Sequence, residues 1–525
     1  MNEFIAKYAD QITGVLSGFD RLVLRGTLRA ICYEQGMMNY LSQHSVLLKN
    51  FARHVHEVSE RVKRASLAAA EKMGRTVKYL ASSQTDKEQI ARSVAREQKI
   101  THGLVCVLKS VEVCPSFEVC RSRETKQLEL VSRLRKCLFF YHYSVHPVFG
   151  FMSARLQTWF PFPIQICLNG REWLARQMDA EGLRYRRQDN CFPWIEDFPR
   201  AQQLMQAQLR MNWPKGLSAI ARQLNPIHEE IFRGYPLDYY WTTHQSEWAS
   251  DIVFREAAAL RRLYPLLVRH AMTSFGSPQV LRFLGRSMRQ DGEVPRRFHG
   301  QVATDLRQRQ EGVRIKHQVN GNSLKLYDKA YTPVGSVLRP EMTLNNEGDF
   351  RVYRSKEGDP QGPKSWRVLR RGIADLHRRA QISQQANDRY LEALASVDDS
   401  TRLKELTRPF ERPTTWKGQR VRALRPFQEP DVTLLEAVGR GEFLLNGFRN
   451  KNLQALLFVP GPESRAEKRR RSARVSRQLR LLRAHGLIKK VNHENRYHVT
   501  KSGRQVITAI LAARQATVSQ LSKVA

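Results

Sequence analysis

The last hundred residues constrain the fold of this chain most, because their apolar spacing changes in a defined order. From Pro430 an apolar-periodic stretch is followed by a Gly-Glu break and by a second helical stretch, LLNGFRNKNLQALLF. A third stretch, RRRSARVSRQLRLLRAHGLI, carries Val475, Leu479 and Leu482 at helical spacing, which predicts one packed face and a cationic remainder. The sequence LIKKVNHENRYHVT then predicts two short strands, and a last helix is expected to start at Ser502 as N-cap.

This order of elements resembles the winged-helix domains of MarR-like and ArsR-like DNA-binding proteins, as do the phrase LRLLRAHGLIKK and the T-x-x-G-R start of the closing helix. The resemblance implies that the third helix lies in the major groove and that the wing tip, at 492–496, touches the DNA backbone or the minor groove. The residues placed at nucleic acid are Arg470, Arg471, Arg474, Arg477, Arg480, Lys489, Lys490 and Arg496. Winged helices also serve as protein–protein modules, and the arginine run favours nucleic acid over that alternative.

Charge supports the same direction. The chain has 87 Lys and Arg against 50 Asp and Glu, a net charge of +37 and a pI near 10.4, which favours a polyanionic partner. DNA is therefore the main expectation and RNA the alternative. A membrane partner is not expected, because the mean hydropathy is −0.51 and the sequence has no uninterrupted apolar run of about 18 residues. The N-terminus, MNEFIAKYADQ, lacks the basic and apolar regions of a signal peptide.

Cysteine usage bears on the compartment. The seven cysteines are odd in number and form no C-x-x-C pair, which argues against a disulfide framework or a zinc ribbon and for a reducing cytoplasm. Together with the expected DNA binding, this predicts a nucleoid-associated protein of prokaryotic type.

The periodicity predicts an α+β, multidomain protein: a mixed or antiparallel sheet body with helical insertions and a C-terminal winged helix. A hydrophobic content of 41% and eight tryptophans are sufficient for a large core. The expected parts are a basic α/β domain at 1–125, an aromatic sheet with a helical region at 126–300, an antiparallel sheet with basic helices at 301–400, a proline-rich linker at 401–430 and the winged helix at 431–525.

Aromatic residues are densest between 137 and 170, where alternation predicts strands. In the expected strand MSARLQTWF, Arg155, Gln157 and Trp159 share one face, a mixture suited to stacking bases and contacting phosphates. The alternative is a set of half-buried sheet aromatics.

Residues 170–300 are predicted to be mostly helical. Their cluster from Tyr239 to Asp251 includes Glu247, and we interpret it as core and cap residues in preference to a functional site.

The stretch from 301 to 354 most suggests chemistry. Alternating runs around a Gly-Asn turn at 321–322 predict an antiparallel sheet in which Lys325, Tyr327 and Lys329 share one face. A tyrosine between two lysines, opposite the carboxylate of Glu341, could cleave a phosphodiester: the phenolate attacks and the lysines offset the developing charge. The alternative is a solvated basic sheet face with one salt bridge.

The phrases NSLKLYDKAY and VLRPEMTLNN resemble the paired strands of plasmid and phage rolling-circle replication initiators. The resemblance implies DNA nicking through Tyr327, assisted by Lys325, Lys329 and Glu341. The chain departs from those nickases in lacking their His-hydrophobic-His metal motif.

Carboxylates on predicted strands give a second route to the same chemistry. Asp20, Asp305 and Glu341 are candidate ligands for Mg²⁺ or Mn²⁺, as in an RNase H-like nuclease.

Three functions remain open from the sequence. The first is a DNA-binding protein of a mobile genetic element, transposase-like or replication-initiator-like; if it is an enzyme, it is a DNA-nicking or strand-transfer nuclease. The second is a transcription regulator with a large effector or oligomerisation body. The third is a structured-RNA-binding protein.

Overall fold

The structure is a computed structural model that describes residues 1–286, 300–309, 312–332, 335–356, 358–395, 403–440, 443, 447–458, 464–491 and 494–515. The chain divides into two compact units. The sheet unit consists of Tyr8–Arg261 and Asp305–Asn387, and the terminal unit consists of Met1–Lys7, Arg262–Thr304 and Asp388–Ala525.

Helices occur in both units. Their bounds are α1 Asn2–Lys7, α2 Glu34–Gln43, α3 Phe51–Lys72, α4 Lys87–Glu97, α5 Gly170–Glu181, α6 Phe198–Ala207, α7 Trp213–Leu224, α8 His228–Ile231, α9 Ala257–Ser274, α10 Ser277–Phe283, α11 Leu376–Leu394, α12 Leu403–Thr407, α13 Asp431–Val438, α14 Asn450–Leu457, α15 Arg465–Ala484 and α16 Lys501–Gln515.

The four longest strands, β1, β3, β4 and β9, lie in the first 260 residues. Their bounds are β1 Ile12–Thr27, β2 Thr76–Leu80, β3 Gly103–Arg121, β4 Leu128–His146, β5 Gly150–Gln157, β6 Ile164–Asn169, β7 Tyr185–Gln188, β8 Cys191–Ile195, β9 Tyr240–Phe254, β10 Val302–Arg309, β11 Gly312–Val319, β12 Asn322–Thr332, β13 Gly335–Leu344, β14 Arg351–Arg354, β15 Ser365–Val368, β16 Thr414–Trp416, β17 Gln419–Val421, β18 Ile488–Lys490 and β19 Tyr497–Val499.

An eleven-stranded sheet in the order β10-β11-β12-β13-β9-β1-β6-β5-β4-β3-β2 organises the body of the protein. The pair β2–β3 is parallel and is joined through α4, whereas β1 pairs antiparallel with both β6 and β9. The sequence-based prediction of an α+β protein with a mixed sheet and helical insertions is therefore confirmed.

The sheet crosses the domain boundaries expected at residues 125 and 300. Strands β1 to β3 come from the first expected domain, β4 to β6 and β9 from the second, and β10 to β13 from the third. Backbone pairing between strands distant in the sequence joins these segments, so the three expected domains share one sheet.

Strand β9 is the main local departure from prediction, since residues 170–300 were expected to be mostly helical. It runs for 15 residues between β1 and β13 in the interior of the sheet. Its run of Trp, Thr, Ser, Val and Ile carries residues buried on both faces, because each face of a central strand is covered.

The β11–β12 hairpin was expected, but its turn lies one residue earlier than predicted. Asn320 and Gly321 form the turn with φ of 49° and 82°, and Asn322 already belongs to β12. Two consecutive left-handed residues match the right-handed twist of the flanking strands, which explains the Asn-Gly pair.

Both faces of the central strands are covered within the sheet unit. On one face, α5 and α6 pack on β1, and β8 packs on β12 and β13. On the other face, Trp248 of β9 donates to Gln384 of α11 at 2.8 Å, and Asn387 donates to the Trp248 carbonyl at 3.2 Å. This coverage leaves the polar residues between β1 and β12 in a largely buried layer.

The terminal unit contains the predicted order of α13, α14, α15, the β18–β19 hairpin and α16. An isolated bridge between Phe448 and Tyr497 adds a third backbone segment beside the two strands of the hairpin. Val475, Leu479 and Leu482 of α15 are buried, as their spacing predicted. The closing helix begins two residues earlier than expected, because Thr500 and not Ser502 caps it, its Oγ1 accepting from the Gly503 amide at 3.0 Å.

The stretch 401–430, expected to be a linker, is folded in its described part. Phe410, Val421 and Leu424 are buried in the same apolar cluster as α13, α15 and α16, and β16 pairs with β17. Its prolines and charged residues are typical of a linker, but the apolar residues between them pack into the hydrophobic core of the terminal unit.

Arg422 fixes this stretch to α13. Its guanidinium makes two bonds to the buried Asp431 carboxylate, at 2.5 and 2.6 Å, and the Arg425 amide donates at 2.9 Å. Burial acts to raise the pKa of Asp431, but the bonds from Arg422 and Arg425 lower it below its usual value.

Asp431→Asn is expected to weaken this attachment by about 2 kcal/mol at pH 7, since two charge-assisted bonds are lost. A carboxyl with a lowered folded-state pKa stabilises above its unfolded-state pKa and loses that contribution as the pH falls through the folded-state value. Hydrogen exchange on peptides covering α13 should therefore show faster opening in the variant at pH 7 and a shrinking difference toward acid. An equal difference at both ends of the pH range would contradict the assignment.

No helix in the described part of the chain combines the length and the apolar character needed to cross a membrane.

Candidate functional site

Four adjacent strands place their polar side chains on one face of the sheet. In β12 and β13, Lys325 pairs with Glu341 and Tyr327 with Arg339. In β13 and β9, Glu341 pairs with Ala249 and Thr343 with Glu247. Residues two apart on a strand share a face, so Lys325, Tyr327 and Lys329 lie on one face as predicted, together with Glu341 and Glu247.

A β-bulge brings Asp20 of β1 to this face. Phe19 pairs with Trp248 and Arg21 with Glu247, which leaves Asp20 as an extra residue between two consecutive pairs. Such an insertion re-aims the side chains beside it, which accounts for the Asp20 carboxylate lying with Glu247.

Asp20, Glu247 and Glu341 form a compact carboxylate cluster. One oxygen from each lies within 4.8 Å of the others, and Asp20 and Glu341 are each 4% exposed. The sequence pointed to Asp20 and Glu341. It named Glu247 only among residues interpreted as core and caps, because β9 was not predicted as a strand.

Cations surround the cluster. Lys325 Nζ donates to Glu341 at 2.7 Å and lies 3.5 Å from Glu247. Arg339 binds the buried Asp251 with two bonds, at 2.5 and 2.8 Å, and lies 3.4 Å from Asp20. On this face of the sheet, positive and negative side chains therefore alternate, and the carboxylate cluster is one part of that array.

Asn190, between β7 and β8, ties this array to the covering hairpin. Its Nδ2 donates to Asp20 Oδ2 at 2.7 Å, its Oδ1 accepts from Lys329 at 2.8 Å, and its carbonyl accepts from Arg339 at 2.7 Å. Lys329 thus contacts the cluster through Asn190 and is 7% exposed.

The three carboxyls have different proton affinities. Burial raises the pKa of Asp20, and burial together with Glu341 raises the pKa of Glu247. Burial also acts to raise the pKa of Glu341, but Lys325 and Arg339 outweigh it and lower that pKa. Glu341 is accordingly the most strongly ionised of the three.

Tyr327 lies beside this cluster with its phenol protonated. Burial, reinforced by the negative charge of Glu341, raises the pKa of Tyr327 to about 12. Lys329 Nζ stands 5.5 Å from the ring centroid. The raised pKa makes a nucleophilic phenolate harder to form than at an exposed tyrosine, and the role of Tyr327 as nucleophile stays a prediction.

Asp305 is not brought to the cluster. Its carboxylate pairs with Arg307 at 2.8 Å and with Arg314 at 3.5 Å, and it is not among the residues whose oxygens converge. Asp305 therefore lies apart from Asp20 and Glu341: alternation predicted its strand, but β10 is an edge strand of the sheet.

The aromatic surface predicted for nucleic acid is also different from expectation. β5 ends at Gln157, which is 1% exposed, and Trp159 follows outside the strand, partly buried against Cys114, Cys137 and Phe139. Arg155 pairs with Glu112 at 2.6 Å. The three residues therefore do not form one open binding face.

Helix α15 carries the predicted basic residues in two different settings. Arg470, Arg474 and Arg477 are exposed and lie at spacings of four and three residues, so they form one row, which we call the arginine row. Arg471 is half-buried beside Glu467, at 3.2 Å, and over the Phe458 ring.

A different contact holds the C-terminal part of α15. Arg480 bonds to Gln419, and Arg480 and Arg483 lie 6.0 and 4.8 Å from the Trp416 ring centroid. Arg480, which was predicted to contact nucleic acid, therefore contacts the β16–β17 hairpin.

The hairpin after α15 contributes further cations. Lys489 and Lys490 of β18 are exposed, and Arg496 pairs with Glu494 at 3.1 Å. Residues 492 and 493 of the predicted wing tip lie outside the described residues.

No family model matches this chain, and neither the curated proteins nor the solved structures contain a significant match.

Proposed function

We propose that this protein is a DNA-binding protein of a mobile genetic element, transposase-like or replication-initiator-like, whose terminal unit binds duplex DNA as a winged helix. The arginine row of α15 carries the proposal. Its three residues are exposed, with Arg474 at 5.8 Å from the Phe458 ring centroid and Arg470 at 3.9 Å from Glu467. Val475 and Leu479 on the same helix are buried. A helix that follows α14, precedes a two-stranded hairpin and presents cations outward has the arrangement of a recognition helix.

Net charge supports DNA as the partner. A chain with a net charge of +37 attracts the phosphate backbone at long range, and phosphate contacts supply most of the sequence-independent affinity. The large sheet unit, with its buried charged layer, favours a protein that handles DNA over a transcription regulator, for which a DNA-binding domain and a small effector domain suffice.

The test is a triple variant, Arg470→Ala, Arg474→Ala and Arg477→Ala, in the full chain. Duplex binding, measured by fluorescence anisotropy at 0.1 M salt, should weaken about a hundredfold, and the slope of log affinity against log salt should fall by about 2 to 3. Both effects follow from the loss of three phosphate contacts.

The matched control removes three exposed cations from α3: Arg53→Ala, Arg64→Ala and Lys72→Ala. The change in net charge is the same, so the control should bind duplex DNA nearly as the parent does. Equal losses in both variants would show non-specific attraction and overturn the recognition-helix assignment. Tighter binding of a structured RNA, unaffected by the α15 substitutions, would favour the RNA-binding alternative.

A further inference from the structure

One oxygen of the carboxylate cluster is left without a donor among the described residues. Asp20 Oδ2 accepts from Asn190 at 2.7 Å and from Arg339 at 3.4 Å, whereas the buried Asp20 Oδ1 has no hydrogen-bond partner in the described part of the chain. Buried carboxylate oxygens without a donor are costly, so a cation bound at this oxygen and the two neighbouring carboxylates would be stabilising.

Thr343 gives an independent observation. It pairs with Glu247 across β13 and β9 and lies two residues from Glu341, on the same face. The side chain is 4% exposed, and its Oγ1 has no hydrogen-bond partner within the described ranges of the chain. A hydroxyl in this position can bind a cation or a water molecule that the cation carries.

A cavity of about 240 Å³ reaches the cluster from the surface. Asp20 and Glu247 line it together with Arg21, Asn169 and Asn190. An ion can therefore reach the two carboxylates. The lining also includes Glu88 and Asp189, so a phosphate oxygen would have to lie next to the ion and on the side of Arg21, Arg92 and the two asparagines.

We propose that Asp20, Glu247 and Glu341 bind one divalent cation of the oxygen-preferring class, Mg²⁺ or Mn²⁺, with Thr343 beside it. Hard carboxylate and hydroxyl oxygens are the donors that these ions select. Lys325, whose ammonium lies on Glu341 and near Glu247, competes with the ion for the same oxygens and so limits its affinity. We expect the substrate at this centre to be a phosphodiester. This part of the proposal rests on the proposed DNA binding, whereas the cation site itself does not.

The test of the cation site uses Mn²⁺ and the full chain without nucleic acid, with bound Mn²⁺ measured by electron paramagnetic resonance. The parent should bind one Mn²⁺ with saturation. Glu247→Gln should weaken that binding at least about tenfold. Glu247 is the most exposed of the three carboxyls and glutamine has nearly the same shape, so this neutral replacement should leave the fold intact.

Two further variants make the outcome unambiguous. Asp305→Asn, the carboxylate that the cluster excludes, should leave Mn²⁺ binding unchanged. Lys325→Met should tighten it, by about tenfold, because the competing ammonium is removed. Absence of saturable Mn²⁺ binding in the parent, equal weakening by Asp305→Asn, or loss of binding in folded Lys325→Met would overturn the site.

The phosphodiester clause has its own assay. With Mn²⁺ present, the parent should nick supercoiled plasmid by hydrolysis: a water molecule attacks the phosphorus, the bond from phosphorus to one ester oxygen breaks, and that oxygen leaves as a hydroxyl with a proton from the water. Glu247→Gln should not nick, whereas the arginine-row variant should nick more slowly with unchanged Mn²⁺ binding. Intact plasmid despite bound Mn²⁺ would overturn the clause. Failure of DNA binding itself would appear in the anisotropy experiment and leave the Mn²⁺ titration unaffected.

Discussion

Replacing Arg339 with methionine is expected to lower the free energy of unfolding of the sheet unit by about 3 to 5 kcal/mol. Arg339 is 0% exposed and joins β13 to Asp251 of β9, to Asp20 of β1 and to the Asn190 carbonyl. Removing it leaves Asp20 without its nearest cation and Asp251 with Arg171 alone, at 3.0 Å. The penalty comes mainly from those uncompensated buried charges and less from the lost attraction.

Urea unfolding followed by tryptophan fluorescence measures this effect. Trp416 is the one tryptophan of the sequence outside the sheet unit, so the signal reports mainly on that unit. Arg184→Met, which removes an arginine paired with Glu196 on the surface, is the control and should leave the midpoint nearly unchanged. A midpoint for Arg339→Met equal to that of the control would show that the buried charges are compensated in another way.

Gly170→Ala is expected to destabilise the sheet unit by about 3 kcal/mol. Gly170 begins α5 where the helix meets β1, and a Cβ there would stand 1.8 Å from the Phe19 carbonyl oxygen. Because the obstructing atom belongs to the backbone, relief requires the helix or the strand to move. The strand residue concerned immediately precedes Asp20, so the substitution should also weaken Mn²⁺ binding at the proposed site.

Gly216→Ala provides the opposite case. Gly216 lies inside α7, and the nearest atom to an added Cβ is a Phe149 ring carbon at 3.9 Å. Alanine there should stabilise by about 0.5 to 1 kcal/mol through its higher helix propensity. Denaturation midpoints that move in opposite directions for the two variants would confirm the close approach of α5 to β1; movement in the same direction would refute it.

Local patterns predicted the elements that depend on local chemistry. The spacing of Val475, Leu479 and Leu482 identified the buried side of α15, and the alternation at Lys325, Tyr327 and Lys329 identified a shared strand face. Each of these features depends on neighbours within a few residues, which the sequence displays directly.

Features set by distant pairing escaped prediction. Glu247 reaches the cluster only because β9 lies between β1 and β13, and no short-range pattern specifies those neighbours. Asp20 faces the cluster through a bulge, which alternation does not reveal. Trp159 lies two residues beyond the end of β5. The strand alternation that was expected to place it beside Arg155 does not extend to it, and its side chain packs against neighbouring residues.

The order of strands has a consequence for synthesis on the ribosome. Asp20 emerges first, Glu247 follows, and Glu341 emerges 321 residues after Asp20 (341 − 20). At translation rates of about 5 to 20 residues per second, that interval lasts roughly 15 to 65 s. During the first part of this interval, one edge of β1 has no partner strand. After β9 has been made and has paired with β1, one edge of β9 has no partner until β13 follows. The nascent chain therefore has an open strand edge for most of its elongation, and we expect it to be prone to edge-to-edge association until β13 has been made.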